Sequence, residues 1–138
     1  MRRLAAFWAL SASDQLLLVK AAATIAFCQL ALRFGNFQGL LLWAGRMNQG
    51  TGSVDRIVWA THAAARAMPG ITCLGIALAL QRLLARQGHA TDLKIGVTKT
   101  GEEFGAHAWL TFDGRVLVGD DHLGQYSELA SWKAHGQT

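Results

Sequence analysis

Apolar residues recur at helical spacing through the earlier part of this chain and switch to strand alternation after Gly88. The apolar run Leu16 to Leu32, preceded by Ser13 and Asp14, reads as a capped helix, Asp14–Phe34. Further helices are expected over Phe37–Met47 and Asp55–Met68, with the polar link Asn48 to Ser53 between them. Leu74, Ala77, Leu78, Leu80, Gln81, Leu84 and Ala85 then mark a helix Cys73–Gln87 that Gly88 stops. Beyond it Leu93, Ile95 and Val97 alternate with Lys94, Gly96 and Thr98, the period of a half-buried strand.

The lengths of these elements set their arrangement. A helix from Cys73 to Gln87 rises about 22 Å, and about eight strand residues cover about 26 Å in return. Thr100 to Glu103 reverses the chain at the cysteine end, and His107 is expected at the beginning of the second strand. That strand descends to Asp113-Gly114, a strong two-residue hairpin signal. An unbroken register pairs Phe112 with Arg115, Leu110 with Leu117 and His107 with Asp120, with Asp121 or Gly119 opposite if the turn slips by one residue. Tyr126 to Trp132 reads as a last strand or helix against the sheet, and His135 to Thr138 as a loose end. Helices followed by strands make the fold class α+β, with one domain over residues 1–138: a helical N-terminal lobe over 1–50 and a catalytic core over 53–138.

Cys73, His107 and Asp120 are therefore expected at one end of the fold, and their chemistry is complementary. A thiol ionises near pH 8.5 (about), and only the thiolate is a strong nucleophile. A helix N-terminus and a neighbouring histidine both favour the anion, and the histidine can later protonate a leaving amine. A carboxylate orients the imidazole. Backbone N–H groups at the helix start can hold an oxyanion. Cys28, by contrast, stands in the apolar run Ile25 to Leu30 and reads as core filling. His62 reads as structural or exposed, His89 as a helix-end residue, and Trp109 as core or as a shield beside the histidine. Asp120-Asp121-His122 lacks the spacing of a metal site. No cofactor motif is present.

The block Cys73-Leu74-Gly75-Ile76-Ala77 through Gly88, with Leu93 to Val97, His107-Ala108-Trp109-Leu110 and Asp113-Gly114-Arg115-Val116, resembles the transglutaminase-like cysteine proteases of lasso-peptide biosynthesis. The resemblance implies a papain-like and transglutaminase-like core in which a catalytic helix packs on a small antiparallel sheet. It also implies removal of a leader peptide from a ribosomally made precursor through a thioester. Cys73 would be the nucleophile, His107 the base and acid, and Asp120 the orienting residue. A small recognition-element protein would deliver the leader, and a separate ATP-dependent cyclase would close the ring. Gly75 and Ile76 depart from the pattern, since many relatives carry a basic or polar residue two or three places after the cysteine. Two other readings stay open: a transglutaminase-like acyltransferase, and a non-enzymatic helical partner-binding module.

Composition fits a small, helix-rich enzyme: 51% of the 138 residues are hydrophobic and one is proline. Two cysteines without an evident pairing point to a reducing, cytoplasmic setting. The net charge of +4 comes from scattered basic residues with no nucleic-acid motif beside them. Met1-Arg2-Arg3 and the apolar residues after it imitate a secretory signal. The Leu16–Leu32 run, broken by Lys20, Thr24 and Gln29, is short and polar for a membrane span and favours a soluble helical lobe over membrane contact.

Overall fold

Three helices of this protein begin in the same way. Ser11, Ser53 and Thr72 each hold an extended backbone and accept, on the side-chain oxygen, the N–H three residues on: Asp14, Arg56 and Gly75. The structure, a computed structural model, describes residues 8–35, 37–100, 103–118 and 127–133, with 97–100, 103–106 and 127–133 described by backbone alone. Its helices are α1 (Ala12–Arg33), α2 (Phe37–Ala44), α3 (Val54–Arg66) and α4 (Cys73–Arg86). Its strands are β1 (Asp92–Thr100), β2 (Glu103–Phe112), β3 (Arg115–Val118) and β4 (Ser127–Lys133). The α+β class is as the sequence pattern predicts, and the helix Cys73–Arg86 on a small antiparallel sheet is as the resemblance implies.

Helix ends follow local chemistry except where another element intervenes. α4 closes with Gly88 at φ 80°, where Gly88 N–H reaches Ala85 O and His89 N–H reaches Leu84 O. These are the paired bonds of a Schellman motif. α2 stops at Ala44, short of the expected Met47, because α4 takes over its end. Arg82 Nη1 donates to Trp43 O at 3.0 Å and Arg46 O at 3.3 Å, and Asn48 N–H donates to Ala85 O. Burial, with Arg86 and Arg46 nearby, holds the Arg82 pKa below its ordinary value. The guanidinium also lies over the Trp43 ring.

The sheet runs β3-β2-β1-β4 with every pairing antiparallel. Asp113 and Gly114 both have positive φ, 50° and 77°, the signature of a type I′ hairpin turn. Phe112 pairs with Arg115 as expected, but Leu110 pairs with Val118 rather than Leu117. A bulge leaves Leu117 as the extra residue. Its carbonyl accepts a 2.9 Å hydrogen bond from His62 Nε2, which ties α3 to the bulge and makes His62 structural. The chain expected over Tyr126 to Trp132 forms a strand, β4, along the free edge of β1.

α4 is buried along most of its length, between the other helices and the sheet. One core cluster joins Ala21, Ile25 and Cys28 of α1 and Leu40 and Leu41 of α2 to Leu78, Leu80 and Leu84 of α4. The same cluster continues into the sheet through Leu93, Ala108, Leu110 and Val118. The N-terminal helices thus share a core with α4 and the sheet. α1 is longer than the run from which it was predicted: by length and composition alone its 22 residues could cross a membrane.

Candidate active site

Thr72 and Gln29 together fix the start of α4. Thr72 Oγ1 accepts the Gly75 N–H at 3.1 Å. Gln29, on α1, accepts hydrogen bonds on Oε1 from both the N–H and the hydroxyl of Thr72, each at 3.1 Å. Cys73 follows as the first residue of the helix, half-buried and free. Here the unpaired N–H groups at the positive end of the helix can receive an oxyanion. Gly75 makes room for the Gln29 amide, since a Cβ would come 2.4 Å from Gln29 Oε1 and the glutamine would have to give way. The departure from the polar residue of many relatives therefore has a local cause: the Gln29 amide occupies that space.

Gln29 is the site residue that sequence reasoning missed. Its only signal was an isolated amide in the apolar run Ile25 to Leu30. Nothing local connects it to Thr72, 43 residues away. Cys28, its neighbour in sequence, is fully buried, and burial alone pushes its pKa up from 9.0 to about 12. Core filling is the right reading for Cys28, and the two thiols of the chain stand in opposite environments.

His107 lies deeper in the sheet than expected. β2 begins at Glu103, opposite Thr100, so His107 is mid-strand and pairs with Gly96. Its ring stacks on Trp109, with centroids 6.1 Å apart and planes 22° from parallel. Trp109 is 8% exposed, buried beside the histidine but outside the main core cluster, so both features expected of it, burial and a place against the imidazole, are present. Ala108 and Leu110 join that cluster, and strand alternation sends His107 and Trp109 to the other face of β2. α4 packs against α1 and, among the strands, chiefly against β2, where Ala108 and Leu110 share its core; nucleophile and imidazole belong to adjoining elements but not to the same packed face. None of the hydrogen bonds among the described residues involves the Cys73 thiol.

Asp120, Asp121 and His122 lie outside the described residues. The pairing that set Asp120 opposite His107 assumed an unbroken ladder, and at Val118 the ladder is already one residue out. The other histidines among the described residues, His62 and His89, are committed elsewhere. His62 bonds the Leu117 carbonyl, and His89 Nε2 donates to Gly52 O at 2.7 Å with its ring edge-on to Phe112.

Two grooves flank α1. One, of about 490 Å³, lies against the far end of α4 and is walled by Lys20, Arg56, Arg86 and Gln87. The other, of about 420 Å³, is an apolar trough between α1 and α3 that includes Val19, Trp59 and Met68. Neither is lined by Cys73 or His107.

Compared with known families, the chain matches the transglutaminase-like superfamily over residues 17–131, a span that holds Cys73, His107 and Asp120. No curated protein and no solved structure matches it. Activities of the superfamily are of the cysteine-protease and acyl-transfer type. Since the match runs from α1 into β4 and takes in the nucleophile helix and the sheet it packs on, the chain belongs to the transglutaminase-like superfamily.

Proposed function

We propose that this chain is a cysteine peptidase that removes the leader peptide from a ribosomally made lasso-peptide precursor. The observation that carries the reading is the position of Cys73, first in a helix whose start is capped by both Thr72 and Gln29. The thiolate attacks the carbonyl carbon of the leader–core amide, and the oxyanion forms beside the N–H groups of the first turn. His107 takes the thiol proton and returns it to the amine of the departing core peptide. Water then attacks the thioester and releases the leader as a carboxylate, restoring the thiol. A carboxylate after β3, Asp120 or Asp121, orients the imidazole. Strand alternation sets His107 on the face of β2 opposite the core-facing Ala108 and Leu110, so these transfers require the imidazole to be brought within hydrogen-bond reach of the sulfur when substrate binds.

Leader removal rather than general proteolysis is supported by the sequence block from Cys73 to Gly88 and its companions around His107 and Asp113. A recognition-element protein supplies the leader, which raises the effective concentration of substrate for a small enzyme. The ATP-dependent cyclase acts on the freed amine afterwards. On this reading the reaction belongs to the cytoplasm, where the cyclase finds its ATP.

Intact-mass analysis of the purified protein with its precursor peptide tests the reading. Cleavage at one bond, a transient mass increase of enzyme plus leader less water, and loss of both in Cys73→Ala are expected. Cleavage by Cys73→Ala at the parent rate would overturn it. Adding a primary amine separates the neighbouring possibility, since a leader–amine conjugate in place of free leader identifies an acyltransferase.

A further inference from the structure

The outer face of α1 carries a stripe that the fold leaves uncovered. Leu16, Val19, Phe27, Leu30 and Phe34, joined by Leu42 of α2, are between 52 and 84% exposed. On α1 they are spaced three, eight, three and four residues apart, close to whole helical turns, so they share one side of the helix over about 27 Å. The opposite side is anchored: Ala21, Ile25 and Cys28 lie in the core, Gln29 bonds Thr72, and Asp14 holds Arg56 at 2.7 Å. α1 is thereby held flat against the protein with apolar side chains pointing outward, a geometry that lies in a bilayer surface rather than crossing it.

Charge selects the occupant. Between Asp14 and Asp55 the chain has no aspartate or glutamate, while Lys20, Arg33 and Arg46 are all exposed there. A second copy of the chain would set these cations against one another. An anionic lipid surface would accept the cations and the apolar stripe together. We infer that the exposed face of α1, with Leu42 beside it, docks this protein on an anionic membrane. Leu30 adjoins Gln29, which contacts the start of α4, so docking brings Cys73 to within about a helix diameter of the lipid surface.

Co-sedimentation of the full chain with vesicles of phosphatidylglycerol and phosphatidylcholine (equal parts), or of phosphatidylcholine alone, tests this without reference to activity. Binding to the anionic vesicles is expected, with weak or no binding to the neutral ones. Lys20→Glu with Arg33→Glu and Arg46→Glu should weaken it at least about tenfold. Leu16→Ser with Leu30→Ser and Phe34→Ser should do the same with an unchanged melting temperature. Absence of binding to anionic vesicles, or binding that survives charge reversal, would overturn the inference. So would a lipid-free dimer that the serine substitutions dissociate, since the face would then be covered by a second copy.

Discussion

Gln29 and Thr72 meet across the α1–α4 interface through two hydrogen bonds of 3.1 Å, one residue before the nucleophile. The amide replaces solvent at the helix start and keeps the first turn of α4 from fraying. Gln29→Met, close in volume and without the acceptor, is expected to destabilise the protein by about 1–2 kcal/mol. It should also slow alkylation of Cys73 by iodoacetamide. Gln29→Glu should slow alkylation further at neutral pH, because a carboxylate there opposes the thiolate. Melting curves and alkylation rates against pH give the two readouts.

Gly75 depends on the same amide. Gly75→Ala would bring a Cβ to 2.4 Å from Gln29 Oε1, so the amide must swing away from Thr72, and a loss of about 1 kcal/mol is expected. Gly75→Ala with Gln29→Ala should be less destabilised than the two single effects added together. A double-mutant cycle from urea unfolding measures that coupling; strict additivity would mean that the alanine is accommodated by another route.

The two thiols should separate under native labelling and under alkaline titration. Iodoacetamide near neutral pH is expected to modify Cys73 and spare Cys28 until the protein unfolds. Burial raises the folded Cys28 pKa from 9.0 to about 12. The unfolded chain therefore releases this proton first, so stability is full below pH 9.0 and falls as pH rises toward about 12. The limiting slope is about 1.4 kcal/mol per pH unit. Comparing urea midpoints of the parent and Cys28→Ala from pH 8 to pH 11 (about 1-unit steps) isolates this contribution from other groups that titrate in the same range.

How much of this was legible in the chain depends on how local the determinant is. Ser11, Ser53 and Thr72 sit beside the turns they cap, so the α1, α3 and α4 starts fall within two residues of expectation. Asp113-Gly114 fixes its turn by its own dihedral preferences. The register after it was not legible because Val116, Leu117 and Val118 are all apolar, leaving no alternation to choose between faces. The end of α2 was hidden for a different reason, because Arg82 reaches it from another helix. Gln29 shows the same limit at the site: its role comes from topology, and the local pattern records only an amide among apolar residues.

His107 can be tested as a proton carrier separately from its place in the sheet. His107→Gln keeps a planar side chain that can stack on Trp109, so the fold should persist, while precursor cleavage falls by about 10²-fold or more. If the imidazole draws the proton from Cys73, alkylation of the variant should slow near neutral pH and match the parent near pH 9.5 (about), where hydroxide forms the thiolate unaided. Trp109→Phe retains an aromatic face beneath the imidazole and should leave both rates within a few fold. Trp109→Ala should lower cleavage more than alkylation, because it loosens the ring without removing it. Equal alkylation rates for parent and His107→Gln across the whole pH range would assign the histidine to packing and move the base to another residue.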